Sequence, residues 1–363
     1  MATLKNTTFQ GTGNIKLPTG TTAERPAGGA GMIRYNTSMG ILEFFDNGWR
    51  PVTGFAQGSI GTGGDSVYYR DGTIVHMFTS VAFTTFTPAH SGTVQVLVVA
   101  GGGSGGSHHG GGGGGGGVIY QKDFPVTAGT PYPISVGAGA TRPSFPSRGN
   151  RGSSSFFNGP GGISVTGGGG GGSWNGSTAQ PGGSGGGGDS SSSNRNRREG
   201  GRGITGQGFD GGTGIRFNSS GDNNHATGGG GGAGGRGRDG QEQRHDGRIA
   251  HGGPGMACDI TGEVLYWGGG GGAAHHHGQQ GVAATGGVGG GGAGMNYHGV
   301  PTYPASRVFA VGGGQALNAG GNSTSQSNAG NGGTNTGGGG GGVNYQYAGT
   351  GSAGGPGIVV VRY

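Results

Sequence analysis

Residues 354–363 read GGPGIVVVRY, and the run from Ile358 to Tyr363 decides how the whole chain is understood. It is an apolar β-type run that follows a very glycine-rich stretch, so no strand lies near it in sequence. It must pair with something distant, and the expected partner is the sheet built by Thr93 to Ala100 and its neighbours. Residues from about 167 to 357 then become an excursion that leaves a β-sandwich and returns to it.

The composition sets the problem that this strand resolves. Of 363 residues, 106 are glycine, only 29% are hydrophobic and 10% are charged. A typical domain has roughly 7% glycine and close to half apolar residues, so side chains cannot fill the two or three cores this length allows. Collagen is excluded: the glycines come in runs, the longest Gly110 to Gly117, with no three-residue period and only 15 prolines. The formal charge is +6, from eighteen Arg, three Lys and fifteen acids; guanidinium forks suit phosphates and carboxylates better than point charges do. Cys258 is alone, which rules out an intrachain disulfide or a cysteine-based zinc site. The N-terminal MATLKNTTFQ has no signal-peptide core, and no run approaches 18 apolar residues, so the reading is synthesis in the cytoplasm without membrane insertion.

Three zones follow. Residues 1–53 are nearly normal in composition and hold strand-like runs at Met32 to Asn36 and Ile41 to Phe45, joined by a turn at Thr37 to Gly40. The second run ends at Asn47-Gly48, a strong turn dipeptide, with Trp49 behind it. A hairpin module this small cannot bury a self-sufficient core, so oligomerisation, trimerisation first, is expected. Residues 54–66 read as a linker. Residues 67–363 form the third zone. Within 67–166, TIVHMFTS, TVQVLVVA, VIYQKDFPVT, PYPISVGA, SSFF and ISVT are short strands between Gly, Pro and Ser. With 358–363 they make the sandwich; no α-helix is expected.

Glycine tracts fall at 101–106, 110–117, 167–172, 185–188, 228–232, 268–272, 289–292 and 337–342, separated by loops that carry the aromatics, charges and prolines. A polyproline-II-type strand has three residues per turn and rises about 3.1 Å per residue. Its N–H and C=O groups point outward, and without a Cβ neighbouring strands can approach and satisfy them. A lone tract would stay disordered, since ordering a residue costs about 1–2 kcal/mol and glycine loses most. A bundle anchored at both ends by β-strands can fold cooperatively. The fold class is therefore all-β: a small N-terminal hairpin module plus a β-sandwich carrying a bundle of packed polyglycine-II helices over 167–357.

Two segments carry a resemblance. The run IKLPTGTTAERPAGGAGMIRYNTSMGILEFFDNGWRPV resembles a short module of bacteriophage tail-fibre and other virion proteins, notably of marine phages. The run from HMFTS through TVQVLVVAGGGSGG and VIYQKDFPVTAGTPYPISVGAGA, with the closing GGPGIVVVRY, resembles the glycine-rich domain of phage tail fibres. The resemblance implies a receptor-binding adhesin of the virion. It would join other phage tail proteins through its N-terminal module, assemble as a homotrimer, and attach to host cell-surface polysaccharide or lipopolysaccharide through loops between polyglycine tracts. A non-receptor virion protein, such as a collar, baseplate or decoration component, is the alternative. The chain lacks the long shaft repeats and heptads of typical fibres.

Aromatic rings beside amides and hydroxyls suit the apolar face and hydroxylated rim of a sugar. That chemistry singles out Trp174 with Asn175, Tyr297 with His298 and Tyr303, and Tyr345 with Tyr347; the bland reading is that such rings cap the bundle, the expectation for Trp267. Residues 189–251 hold nine arginines among seven acids, and Arg195 and Arg197 are the candidates for anionic polysaccharide or lipopolysaccharide phosphate. The bland alternative is solvated loops with local salt bridges. GRGRDG lacks the repeated RGG with Phe or Tyr of RNA-binding tracts, so no nucleic acid is expected. His108-His109 and His275 to His277 lack accompanying Cys or carboxylates at ligand spacing, so no metal and no cofactor is expected. GxGxxG and GxSxG matches arise by chance among so many glycines. No lysine follows a glycine, no helix follows a candidate nucleophile, and the chain is not read as an enzyme.

Overall fold

A computed structural model describes residues 17–39, 41–52, 61–70, 73–190, 196–219, 222–240, 250–276, 284–297, 310–323, 328–344 and 351–363. The chain divides into two compact units after Gly61. Among the described residues the only helical turn is the 3-10 segment Thr22–Glu24, and no helix is long and apolar enough to cross a membrane. The protein is all-β.

The first unit contains the expected hairpin, Ile33–Asn36 against Ile41–Phe45, with Ile33 opposite Phe44 and Asn36 opposite Ile41. Asn47 takes the left-handed φ of 53° that the Asn-Gly turn calls for. Trp49, behind the turn, begins a third strand, Trp49–Pro51, and its ring meets Phe45 edge-on at 5.5 Å. The short strand Thr19–Gly20 completes four by pairing in parallel with Ile33–Asn36.

In the second unit the strand Ile358–Arg362 lies inside a five-stranded sheet, antiparallel to Thr73–Phe78 on one side and Gly92–Val99 on the other. Val118–Val126 and Ser66–Arg70 are the edges. A four-stranded sheet of Ile163–Val165, Ser155–Phe157, Tyr132–Ser135 and Phe83–Phe86 faces it. Between them lies a core that includes Phe78, Phe86, Phe124, Phe157, Val96, Val98 and Val359. The opposite face of the larger sheet, with Val75, Leu97, Val99 and Val360, packs on Ile260 and Trp267 beside the hairpin of Met256–Cys258 and Leu265–Trp267. Both faces are covered, which explains why Ile358 to Val361 are uninterruptedly apolar. Trp267 is fully buried in this layer, directly before the tract that starts at Gly268.

Two strands were not evident in the sequence, Ser66–Arg70 and Phe83–Phe86, which read SVYYR and FTTF and hold no aliphatic run. The linker ends sooner than composition suggests. Thr62 exchanges backbone hydrogen bonds of 2.8 and 2.9 Å with Thr87, and the His76 Nδ1–H donates to Gly63 O at 2.6 Å. Residues 62–66 therefore belong to the second unit.

The glycine tracts form a lattice centred on 110–117. Gly110, Gly113 and Gly116 donate to Val343, Gly340 and Gly337; Gly111, Gly114 and Gly117 donate to Gly172, Gly169 and Thr166; Gly112 and Gly115 donate to Gly228 and Gly231. These bonds span 2.8–3.1 Å. The carbonyls of Gly111, Gly114 and Gly117 accept from Gly106, Gly103 and Ala100. Those of Gly112 and Gly115 accept from Gly187 and Ser184, and those of Gly110 and Gly113 from Ala274 and Gly271. A three-residue repeat thus addresses six neighbours, the pattern of packed polyglycine-II strands. None of residues 110–117 has a left-handed φ. Glycine is required here by close approach, because a Cβ on Gly112, Gly113 or Gly114 would lie 2.7 Å from backbone atoms of Gly271, Gly103 and Gly185 respectively. The 167–357 excursion also contains strands that the tract pattern did not reveal, the longest being Gly214–Ser219 and Asp222–Ala226.

Candidate functional site

The lattice has two different ends. At one, Ala100, Gly117 and Thr166 lead directly from sandwich strands, and Gly268 and Gly337 lie level with them. At the other, Gly106, Gly110, Gly172, Gly188, Gly228, Ala274 and Val343 are linked through successive backbone bonds. Side chains return beyond this second level. Ser107 to His109, Ser173 to Gln180, Asp189, Thr227 and Asn344 all follow or precede a tract there. The central tract has no side-chain chemistry of its own, and side chains are regained at this distal end.

Three loops are stitched together at the tip. Ser107 to His109 must reverse the chain between two tracts, and His108 and His109 take left-handed φ values of 59° and 50°, uncommon for side-chain-bearing residues. The His108 ring lies 5.3 Å from Phe145, stacked, and 4.7 Å from Trp174. Backbone and side-chain bonds fix the loops: Trp174 N donates to His108 O at 3.1 Å, Ser107 Oγ to Ser147 O at 2.9 Å, and Asn175 Nδ2 to Pro146 O at 2.7 Å. Phe145 and Asn175 are exposed and Trp174 is half-buried. Burial holds the His108 imidazole below its usual pKa, so this column is an uncharged aromatic surface at neutral pH.

A five-stranded sheet crowns the same end, in the order Arg197–Arg198, Gly214–Ser219, Asp222–Ala226, His275–His276 and Asn296–Tyr297. Its register lines up Arg216, His225, His276 and Tyr297. It is joined to the column through His109, whose ring stacks on His225 at 4.0 Å and 7°. Ser190 Oγ hydrogen-bonds His225 Nδ1 at 2.8 Å. The pair has the chemical types of a nucleophile and a base, and Ser190 is fully buried. Asp189 is also buried, and desolvation pushes its carboxyl up to about 6 despite the Arg198 guanidinium, whose Nε lies 4.0 Å away. Among the described residues no three His, Cys, Asp or Glu side chains gather as metal ligands.

The structure thus brings Trp174 and Asn175 together in the column and places Arg197, exposed, at one edge of the crown sheet. The backbone of Tyr297 forms the opposite edge. Arg195, His298, Tyr303, Tyr345 and Tyr347 lie outside the described residues. Sequence reasoning missed Phe145, Asp189, Ser190 and His225. The detectable signal was the three-residue gap Ser107 to His109 between tracts, too short to be a solvated loop.

The model of the glycine-rich domain family matches residues 78–305. No curated protein matches the chain. The matched span starts at the last residue of the strand Thr73–Phe78 and takes in both strands that flank the central tract. The compact unit extends past it on both sides, to Thr62 and to the strand Ile358–Arg362 that closes the sheet. The match covers more than half of the chain, and the protein belongs to the glycine-rich domain family.

Proposed function

We propose that this protein is a phage tail-fibre or receptor-binding adhesin that attaches a virion to host cell-surface polysaccharide or lipopolysaccharide. One observation carries the reading: the backbone lattice returns side chains at the end away from the sandwich, and there exposes an aromatic column beside amides and an arginine-bearing sheet. Trp174, Phe145 and Asn175 suit a sugar ring, whose apolar face stacks on an aromatic and whose hydroxyls bond an amide. Arg197 suits an anionic substituent. The resemblance of residues 15–52 to a virion module supplies the virion context, and three copies would raise weak single-site affinity through avidity.

The test is binding of the purified full chain to an array of bacterial surface polysaccharides and lipopolysaccharides. The expected result is retention on one class of glycan, lost in Trp174→Ala while thermal melting of the sandwich is unchanged. Absence of binding to the array and to intact bacteria would overturn the receptor reading and favour a structural virion role.

A further inference from the structure

The acids of the second unit are segregated. They lie within residues 65–123 and 189–263, and none falls in 124–188 or 264–363. The strands Tyr132–Ser135 and Ser155–Phe157 belong to the acid-free part, and the connection between them carries Arg142, Arg148 and Arg151. That connection climbs the lattice to the tip and returns, and its returning limb is bonded with a period of three. Ser107, Ser104 and Gly101 donate to the carbonyls of Ser147, Asn150 and Ser153 at 3.0–3.1 Å, while Gly149 and Gly152 donate to Gly171 and Gly168. Two of every three positions therefore face the lattice. The third position, held by Arg148, Arg151 and Ser154, is exposed.

Aromatic rings stand at both ends of this row. Ser154 leads into Ser155–Phe157, where Ser155 and Phe157 are buried and Phe156 takes the outer face. The Phe156 ring lies 6.3 Å from that of Phe83, which is 69% exposed. At the tip end, Phe145 precedes Arg148 by three residues and stacks on His108 in the column. From Phe145 to Phe156 the row is about 35 Å long. The exposed Arg142 adds a guanidinium on the neighbouring limb, which Asn150 Nδ2 ties to the row by donating to Thr141 O at 3.1 Å.

Charge and spacing say what fits. Two guanidiniums three residues apart on a polyproline-II strand stand about 9 Å apart. A nucleic-acid strand carries a charge about every 3.4 Å, most of which this row would leave unmatched. A polysaccharide with one carboxylate or phosphate per repeat, and neutral sugar between, has the wider spacing. The exposed hydroxyls of Ser153 and Ser154 suit its hydroxyls, and Phe145 and Phe156 its apolar faces.

We propose that the flank running from Phe156 through Ser154, Arg151 and Arg148 to Phe145 binds an extended acidic polysaccharide lengthwise. The inference rests on the receptor reading and deepens it: the tip takes one end of the glycan and the flank grips the chain behind it.

The full chain is applied at low ionic strength to immobilised polygalacturonate, with dextran as the uncharged counterpart. Retention on polygalacturonate alone, reversed by salt, is the expected result. Arg148→Ser combined with Arg151→Ser should weaken it about tenfold, and Arg151→Glu alone should weaken it too, whereas Arg151→Lys should retain most of it. Arg236→Ser is the charge control, because Arg236 is exposed and paired with Asp239 at 2.9 Å, and it should change nothing. Thermal melting of each variant is read alongside and should match the parent. No retention on polygalacturonate, equal weakening by Arg236→Ser, or displacement by single-stranded DNA at equal charge would overturn the proposal. A chain that ignores polygalacturonate but binds a bacterial glycan through Trp174 loses the flank and keeps the receptor reading. One that holds polygalacturonate through the two arginines but binds no bacterial glycan or cell keeps the flank and loses the receptor reading.

Discussion

Gly113→Ala tests the lattice at its centre. In a flexible glycine segment this substitution stabilises, by about 0.4–1 kcal/mol, because alanine reduces the freedom of the unfolded chain. The lattice demands the opposite. The new Cβ would lie 2.7 Å from Gly103 C and 2.8 Å from Ser104 C, and closer still to Gly103 O. These are backbone atoms, so no side chain can rotate away. Gly103 must move, yet its N–H donates to Gly114 O at 2.8 Å and its carbonyl accepts from Gly340 N at 2.9 Å. Overpacking costs about 1–3 kcal/mol, and each buried polar group left unpaired about 1–3 kcal/mol more. With both Gly103 groups lost, the expected cost is roughly 3–9 kcal/mol, a large share of the about 5–15 kcal/mol that holds a protein folded. At about 2–4 °C per kcal/mol for a large domain, melting should fall by about 6 °C or more. Gly314→Ala is the control, since nothing lies within 4 Å of its Cβ position; it should shift melting by a few degrees at most. Calorimetry of the two variants decides the matter. A Gly113→Ala protein as stable as the parent would refute the packed lattice.

Asp189→Asn should stabilise the protein at neutral pH and not in acid. Its folded pKa, about 6, lies above the usual 3.8, so the stability this carboxyl contributes is fully present below about pH 4 and is lost as pH rises through 6. The difference between the two proteins should grow to about 3 kcal/mol by pH 7, read from urea melts across pH 4–8. His251 runs the other way: its Nδ1 accepts from Thr285 N at 3.1 Å, and burial first, then Arg238, holds its pKa below the usual value. Its contribution is present above about pH 6.5 and is lost on acidification. Glu43→Gln should leave Arg25 and Arg34 without the buried carboxylate that lies 2.8 and 3.5 Å from them and cost the first unit about 3 kcal/mol, measured as faster proteolysis within residues 17–52; unchanged protection would show that the cluster contributes nothing.

Much of this was legible in the sequence, for reasons that differ by element. Ile358 to Val361 announced a doubly covered strand because four successive β-branched residues follow a Gly-Pro-Gly break in a run too short for a helix. The tracts announced themselves by composition, and the threefold bonding follows from polyproline-II geometry. Ser66–Arg70 was hidden because Asp65 and Gly64 before it read as linker. The covered face of the first unit was hidden for a physical reason: alternation in IRYN and ILEFF shows that two rows exist, but not which row a third segment covers. The column at the tip was harder still. Phe145, His108 and Trp174 are remote in sequence and meet only because tracts of matched length bring three loops to one level. Nothing local in any of the three loops specifies that meeting.

Tract length therefore carries information that tract composition does not, and an insertion exposes the distinction. One extra glycine anywhere in 110–117 gives the same sequence, so the lattice has no means of knowing where it was added. The strand Val118–Val126 pins one end of the tract through its pairing with Gly92–Val99. The other end is pinned only by the turn Ser107 to His109, so the surplus residue is expelled toward the tip. All eight lattice positions stay filled by glycine and the backbone bonds re-form one residue along. Lengthening a short loop adds only a fraction of a kcal/mol of closure entropy, so melting should change by less than about 1 kcal/mol. The stack of His109 on His225 and the contact of His108 with Trp174 cannot both survive, because their distances of 4.0 and 4.7 Å depend on where the turn is held. Trp174 emission should shift, and any glycan binding weaken, in a protein whose melting is nearly unaltered. A collapse in melting as large as that expected for Gly113→Ala would mean that the register is fixed along the tract and not at its ends.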